Sequence, residues 1–463
     1  MREKEVSERN TYIILIITLI SIASCIIFKI FLFYGFLASI AAASFMLIKS
    51  GFSIVDILNM IRKGNGECTS LFILVALIGA MISIWMTSGV VPTMLFYGLK
   101  YMQGTNFLFA AFILTSMISI FMGTAIGTVS SVGIALLGLA RVFGIPDHIL
   151  LGALVSGAFI ADKISPISSL FNLTLESVKV GSKKTLLSML KTFLPTYFLT
   201  ALIYYLIGKR YTAVLVNSNI DNFTSAINRS FVISPLVLLL PLSIIIMSFL
   251  GVKMVKAVSF TLIAGIAVSI GLQKGNLYDV ITSVFNGYKA ATDSAVLNTV
   301  LVSGGVRSMI SILLIMAGAI SLSSIFQESG LIIPVINRLT GTIKTKEELI
   351  LKTGLISCGM TLISDETIGI ILPGKLLREK YKELGIDTTT LARTIADTGT
   401  IISPLIPWNV NAIFIFITTG IPTLDYAPYS VLCYLSPLVT VIFAYMNKLY
   451  SRKRVKEVQR SNF

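Results

Sequence analysis

The chain is poor in the residues that do chemistry at soluble active sites. It has one histidine, two tryptophans and four cysteines in 463 residues, and only 13% of its residues are charged, where soluble domains carry roughly 25%. The cysteines, Cys25, Cys68, Cys358 and Cys433, are scattered with no CxxC or Cys/His spacing, which excludes a disulfide framework and a zinc site. His148 follows "GIPD" at a helix start and reads as an interfacial residue with no assigned role. There is no HExxH, no GxSxG and no GK[ST], so a membrane-embedded enzyme and a phosphate-binding loop have nothing to work with, and no cofactor is expected.

What is abundant is hydrocarbon. Hydrophobic residues make up 55% of the chain and the mean hydropathy is +0.88. Apolar runs near the roughly 20 residues a bilayer requires recur throughout: Thr11 to Phe28, Ile30 to Ile48, Ser70 to Ser88, Phe107 to Met122, Ile149 to Ile160, Leu186 to Ile207, Phe231 to Leu250, Val255 to Ile270, Met309 to Phe326, Leu351 to Ile363, Thr400 to Gly420 and Tyr429 to Tyr445. Several are too short or too interrupted to cross unbroken. The expectation is an all-α polytopic membrane protein with about 10 to 12 crossing helices, several of them broken or re-entrant.

"MREKEVSER" precedes the first run without a cleavage site after it, so that run reads as a retained helix. Arg2, Lys4 and Arg9 precede it, and Lys49, Arg62 and Lys63 follow the second run. The positive-inside rule then puts the N-terminus in the cytoplasm, and the basic tail "KLYSRKRVKEVQR" puts the C-terminus there too. The net charge of +15 is explained by these loops and by contact with anionic lipid. No soluble basic surface offers itself to nucleic acid. A homo-oligomer is compatible with the sequence.

The polar stretch Asn217 to Arg229 reads as a connecting loop between two halves, 1–216 and 230–447, with a tail at 448–463. Each half ends in an interrupted region, as in internally repeated transporters. In the first, "ADKISPISSLFN" gives Asp162, Ser165-Pro166 and Asn172; in the second, "ADTGTIISPLIPWN" gives Asp397, Ser403-Pro404 and Asn409. The order is shared and the spacing is not. Proline removes an amide donor and clashes with the preceding turn, so a helix opens there, and at membrane depth opened backbone must line a cavity or be covered. Its carbonyls, with side-chain oxygens and a carboxylate, suit a hard cation such as Na+; Asp162 and Asp397 are the candidate ligands.

Two further stretches fit this picture. "GTAIGTVSSVG" (Gly123 to Gly133) interrupts an apolar region with glycines and with Thr124, Thr128, Ser130 and Ser131, which reads either as helix packing or as ligands. "LISDETIGIILPGK" (Leu362 to Lys375) places Asp365 and Glu366 inside an apolar run, where repulsion and desolvation both favour a protonated form, the property of a proton-exchanging carboxylate.

These stretches, "GTAIGTVSSVGIALLG", "ADKISPIS" with Asn172, "SDETIGIILPGK" and above all "ARTIADTGTIISPLIPWN", resemble the NhaC-type Na+/H+ antiporter family of a larger ion-transporter superfamily, from about Ile73 to Tyr434. The resemblance implies a secondary antiporter of the cell membrane exchanging Na+ for H+ by alternating access, with two repeats of opposite topology and broken helices. Ion-site residues would then include Asp162, Asp365, Glu366, Asp397, Thr398, Ser403 and Asn409. Relatives that exchange malate and lactate or carry amino acids imply the alternative, a coupled carrier of a small organic anion, in which Arg393 or Lys163 would face the substrate carboxylate. The sequence departs from the family pattern at Ser169 and Ala396, where acids are typical.

Overall fold

A computed structural model describes residues 8–101, 104–211, 217–250, 252–289, 305–331, 333–340 and 343–461, and among them every regular element is helical. Seven helices are long and apolar enough to cross a membrane, and ten spans result if each of three bent pairs is counted as one. The pairs bend by 88°, 43° and 53°. This is the arrangement that apolar runs with internal breakers dictate, since helices satisfy their own backbone in a medium that cannot.

Glu8–Ile27 and Leu32–Lys49 pack as an antiparallel pair at the edge, with Ile16, Ile20, Ile27, Tyr34 and Phe45 pointing outward. At the centre runs Asp147–Val178, the most enclosed span. Phe107–Met122 lies along it so closely that a Cβ on Gly157 would stand 2.9 Å from the Phe112 carbonyl. Small residues at such crossings let apolar backbones approach, which is how helices hold together without a hydrophobic drive from water.

Two helical hairpins enter this centre. Phe107–Met122 turns at Gly123 into a helix starting at Ala125; Gly123 has φ of +66°, a left-handed conformation that favours glycine. Lys346–Ile363 turns at Ser364 into Glu366–Glu383. Both tips are therefore helix termini enclosed in the fold, and each must cap its own amides.

Asn217 to Arg229, expected as a loop, is helical over Asn217–Ser230. Its apolar positions Ile220, Phe223 and Ile227 recur at helical spacing, and Ile227 is fully buried. Polarity concealed an amphipathic helix, of which Ile227 is enclosed by the bundle. The last helix, Val431–Ser461, carries the basic tail, whose side chains from 447 onward lie outside the described residues.

Candidate functional site

The first break follows directly from Pro166. The short helix Ile160–Ile164 ends at Ser165, whose ψ of 122° is extended, and a new helix, Ser169–Val178, starts with Ser168 as its cap. Ser165 donates its hydroxyl to the Ile120 carbonyl at 2.7 Å. Asn172, with an exposed side chain, donates to the carbonyls of Pro166 and Ser168, both at 2.9 Å, and so covers the opened turn. Asp162 is buried on the short helix, where Ser168 donates to its carboxylate at 3.0 Å and the Ala125 amide of the first hairpin tip also bonds it. At that tip Thr124 accepts from the Gly127 amide, and the Thr128 hydroxyl donates back to the Thr124 carbonyl at 2.8 Å. Ser130 likewise donates to the Ile126 carbonyl, while the Ser131 side chain lies outside the described residues.

In the second half the helix Thr388–Ile395 widens into a π-turn over Ala396–Thr400, tightens into a 3₁₀ turn at Ser403–Leu405, opens, and restarts at Val410–Thr419 with Asn409 as its cap. π-turns leave carbonyls without their usual partners and recur at functional sites. Thr398 donates to the Thr394 carbonyl at 2.6 Å, and Ser403 donates to that of Thr400 while accepting from Asn411. Asn409 donates to Glu366 at 3.0 Å, joining the break to the second hairpin tip. Trp408 makes a second tie, its indole N–H donating to the Leu362 carbonyl at 2.6 Å. Asp365 caps the descending hairpin helix by accepting from the Ile368 amide at 3.0 Å, and Ser323 donates to its other oxygen at 3.4 Å.

Asp397 has different company. Its Oδ1 faces the Lys163 ammonium at 2.6 Å, and both side chains are fully buried. Its Oδ2 accepts from Thr192 at 2.7 Å and Thr440 at 2.5 Å, while Lys163 also donates to Ser436 at 3.0 Å. Both oxygens are thereby occupied. Asp162 and Lys163, adjacent on one short helix, point into two different networks.

The structure thus sets Asp365 and Glu366 side by side at the second hairpin tip, which Asn409 joins to the second break, and holds Asp162 at the first break against the first tip. Asp365 and Glu366 keep partial exposure. It does not place Asp397 among them, and no three His, Cys, Asp or Glu side chains form a metal-binding group among the described residues. Lys163, read from the sequence as a cation for a substrate carboxylate, is taken by Asp397. Arg393 is the other buried cation among the described residues: it is 6% exposed, its Nε has no hydrogen-bond partner, and no carboxylate of those residues reaches it within 4 Å.

Sequence reading missed Ser168, Thr192, Ser436 and Thr440. Ser168 carried a signal, the first of two serines before the apolar run "LFNL", where N-caps stand. By role, though not by spacing, the counterpart of Asn409 is Ser168 and not Asn172, since each caps the helix that restarts after its Ser-Pro step. The other three lie on long helices whose rotation no local pattern discloses.

Comparison with known proteins converges on one family. The profile of the Na+/H+ antiporter family matches residues 157–448. The Na(+)/H(+) antiporter NhaC of Alkalihalophilus pseudofirmus is 33% identical over 381 residues, 81% of each chain. NhaC of Bacillus subtilis is 29% identical over 379 residues, 81% of this chain and 84% of its own, and the malate-2H(+)/Na(+)-lactate antiporter of the same organism is 25% identical over 403 residues, 87% of this chain and 86% of its own. The matched region spans both breaks and the charged hairpin tip, and the chain belongs to the Na+/H+ antiporter family.

Proposed function

We propose that this protein is a secondary transporter of the cell membrane that exchanges Na+ for H+ by alternating access. The observation that carries the reading is that carboxylates stand at both helix breaks and at the second hairpin tip: Ser168 holds Asp162 at the first break, Asn409 of the second break holds Glu366, and Asp365 caps the hairpin helix beside it. An ionised carboxylate beside opened backbone binds a hard cation, and the same carboxylate protonated releases it. One group serving both cargoes makes them compete, and competition is what couples an exchanger. Ser168 and Asn409 hold Asp162 and Glu366 in place. Thr124, Thr128, Ser165, Asn172, Thr398 and Ser403 keep the broken backbone satisfied. Lys163 and Asp397 form a fixed neutral pair between the halves. In this reading the halves on either side of 217–229 are repeats of opposite topology, with both termini cytoplasmic.

The test is H+ movement in everted vesicles, followed with a pH-sensitive dye as Na+, Li+, K+, malate, lactate or amino acids are added in turn. Na+-dependent alkalinisation is expected, and its absence with every cation would remove the proposal. A second reading, exchange of a small organic anion, is favoured by Arg393: a buried guanidinium without a carboxylate partner among the described residues is costly in a membrane, and an incoming carboxylate would supply one. Malate- or lactate-dependent flux lost in Arg393→Gln would select it.

A further inference from the structure

We propose that the Asp365–Glu366 tip is reached by a polar seam between the helix pair Ile54–Glu67/Thr69–Thr87 and the helix Ile310–Glu328, with Glu67 as the carboxylate that passes a monovalent cation to the tip. The cation's identity rests on the Na+/H+ reading; the route does not.

The helix pair is itself broken. Cys68 ends one helix and begins the next, with φ of −94° and ψ of 9°, immediately after "GNGE". The break lies near the tip, since Asn65, three residues before it, donates to Ser321, and Ser323, two residues on, reaches Asp365. Just before it, Arg62, Lys63 and Glu67 are exposed, and Thr69–Thr87 continues as an apolar span. Three formal charges cannot face acyl chains at that cost, so this side of the break faces water. The carbonyl end of Ile54–Glu67 adds partial negative charge where Glu67 stands.

The facing helix is lined to match. Ser321 and Ser324 are buried against the pair: Asn65 donates to Ser321 at 2.8 Å, Ser324 donates to the Met60 carbonyl at 2.6 Å, and Gly64 leaves no room for a Cβ beside Ser324. Ser323 hydrogen-bonds Ser364 and reaches Asp365. At the outer end a cavity of about 270 Å³ is lined by Phe52, Asp56, Asn59, Met60, Lys63 and Glu328, and the Lys63–Glu328 ion pair, at 2.8 Å, stands across it. Polar side chains of this one helix thus face the cavity through Glu328, the pair through Ser321 and Ser324, and the tip through Ser323.

Cys68 makes the seam testable. In a chain carrying Cys25→Ala, Cys358→Ser and Cys433→Ala, Cys68 is the one thiol left, and its reaction with a membrane-impermeant cationic methanethiosulfonate is followed in right-side-out and everted vesicles. Reaction from one face only, slowed several-fold by Na+, is expected. Glu67→Gln should weaken that protection and raise the KM for Na+ several-fold with kcat little changed. Reaction with permeant N-ethylmaleimide but with the impermeant reagent from neither face would overturn the route, as would one-sided labelling that neither Na+, Li+, K+, malate nor lactate slows. An unchanged KM in Glu67→Gln would remove Glu67 from it. Protection by malate or lactate instead of a cation would leave the route standing and refute the Na+/H+ reading. The labelling arm keeps Glu67 intact, so it remains decisive even where Glu67→Gln does not fold.

Discussion

At the first hairpin tip Thr124 caps the helix that begins at Ala125; at the second, Asp365 caps the helix that begins at Glu366. The backbone task is the same, an enclosed helix terminus whose first amides need an acceptor, and in both the cap side chain accepts from the amide three residues on. A neutral hydroxyl satisfies it at one tip. At the other a carboxylate does the same work with Glu366 beside it, a charge that capping does not require. The two breaks pair a cap with a carboxylate in the same way: Ser168 and Asn409 both cap a restarted helix, and each side chain also donates to a carboxylate, Asp162 or Glu366.

The comparison is broken most severely by removing those carboxylates. Glu366→Gln and Asp162→Asn are each expected to reduce Na+-driven H+ flux in proteoliposomes to background, with normal membrane insertion. Wild-type flux in either variant would withdraw that residue from the site.

Asp397→Asn is expected to act differently, through the fold. It leaves Lys163 charged and without its counter-ion in a fully enclosed position, and breaking such a pair costs about 3–5 kcal/mol. Thermal unfolding in detergent should show the loss, and adding Lys163→Met should recover most of it. Equal stability of Asp397→Asn and the parent would mean that the pair does not form.

Cap and charge separate at Asp365. Asparagine caps as well as aspartate, so Asp365→Asn should leave stability almost unchanged while reducing exchange, whereas Asp365→Ala, like Thr124→Ala, should cost about 1 kcal/mol. If Asp365→Asn transports normally, the second tip is chemically no different from the first.

The smallest effect concerns Ala396, buried in the π-turn three residues after Arg393. Ala396→Glu supplies a carboxylate on the neighbouring turn, where pairs three apart contribute about 0.2–0.5 kcal/mol, and it adds one titratable group to a site that has few. Exchange should then depend more strongly on membrane potential, read as Na+-driven H+ flux with the potential held at zero or set by a K+ gradient and valinomycin. Ser169→Asp should do less, because Ser169 is exposed. A wild-type flux already as potential-driven as that of Ala396→Glu would contradict the idea.

Much of this molecule was written locally. A span needs only enough consecutive apolar residues, a break needs only a proline, and a cap needs only a hydroxyl or carboxylate before a helix, so the membrane class, the openings at Ser165-Pro166 and Ser403-Pro404 and the charged tip at Asp365 and Glu366 all follow from short stretches of chain. The amphipathic helix Asn217–Ser230 was also local, but its few apolar positions were outweighed by polar ones. What the sequence left undetermined is which charges meet. Asp162 and Asp397 stand in similar words, yet one is held by Ser168 near Glu366 and the other is locked to Lys163 by Thr192 and Thr440. Those partners come from separate helices, and the rotation and depth of each helix are set by how glycines and small residues let whole surfaces approach. A one-residue step along an α-helix turns a side chain by about 100°, so Asp162 and Lys163, neighbours in the chain, are delivered to opposite networks only once the bundle has packed.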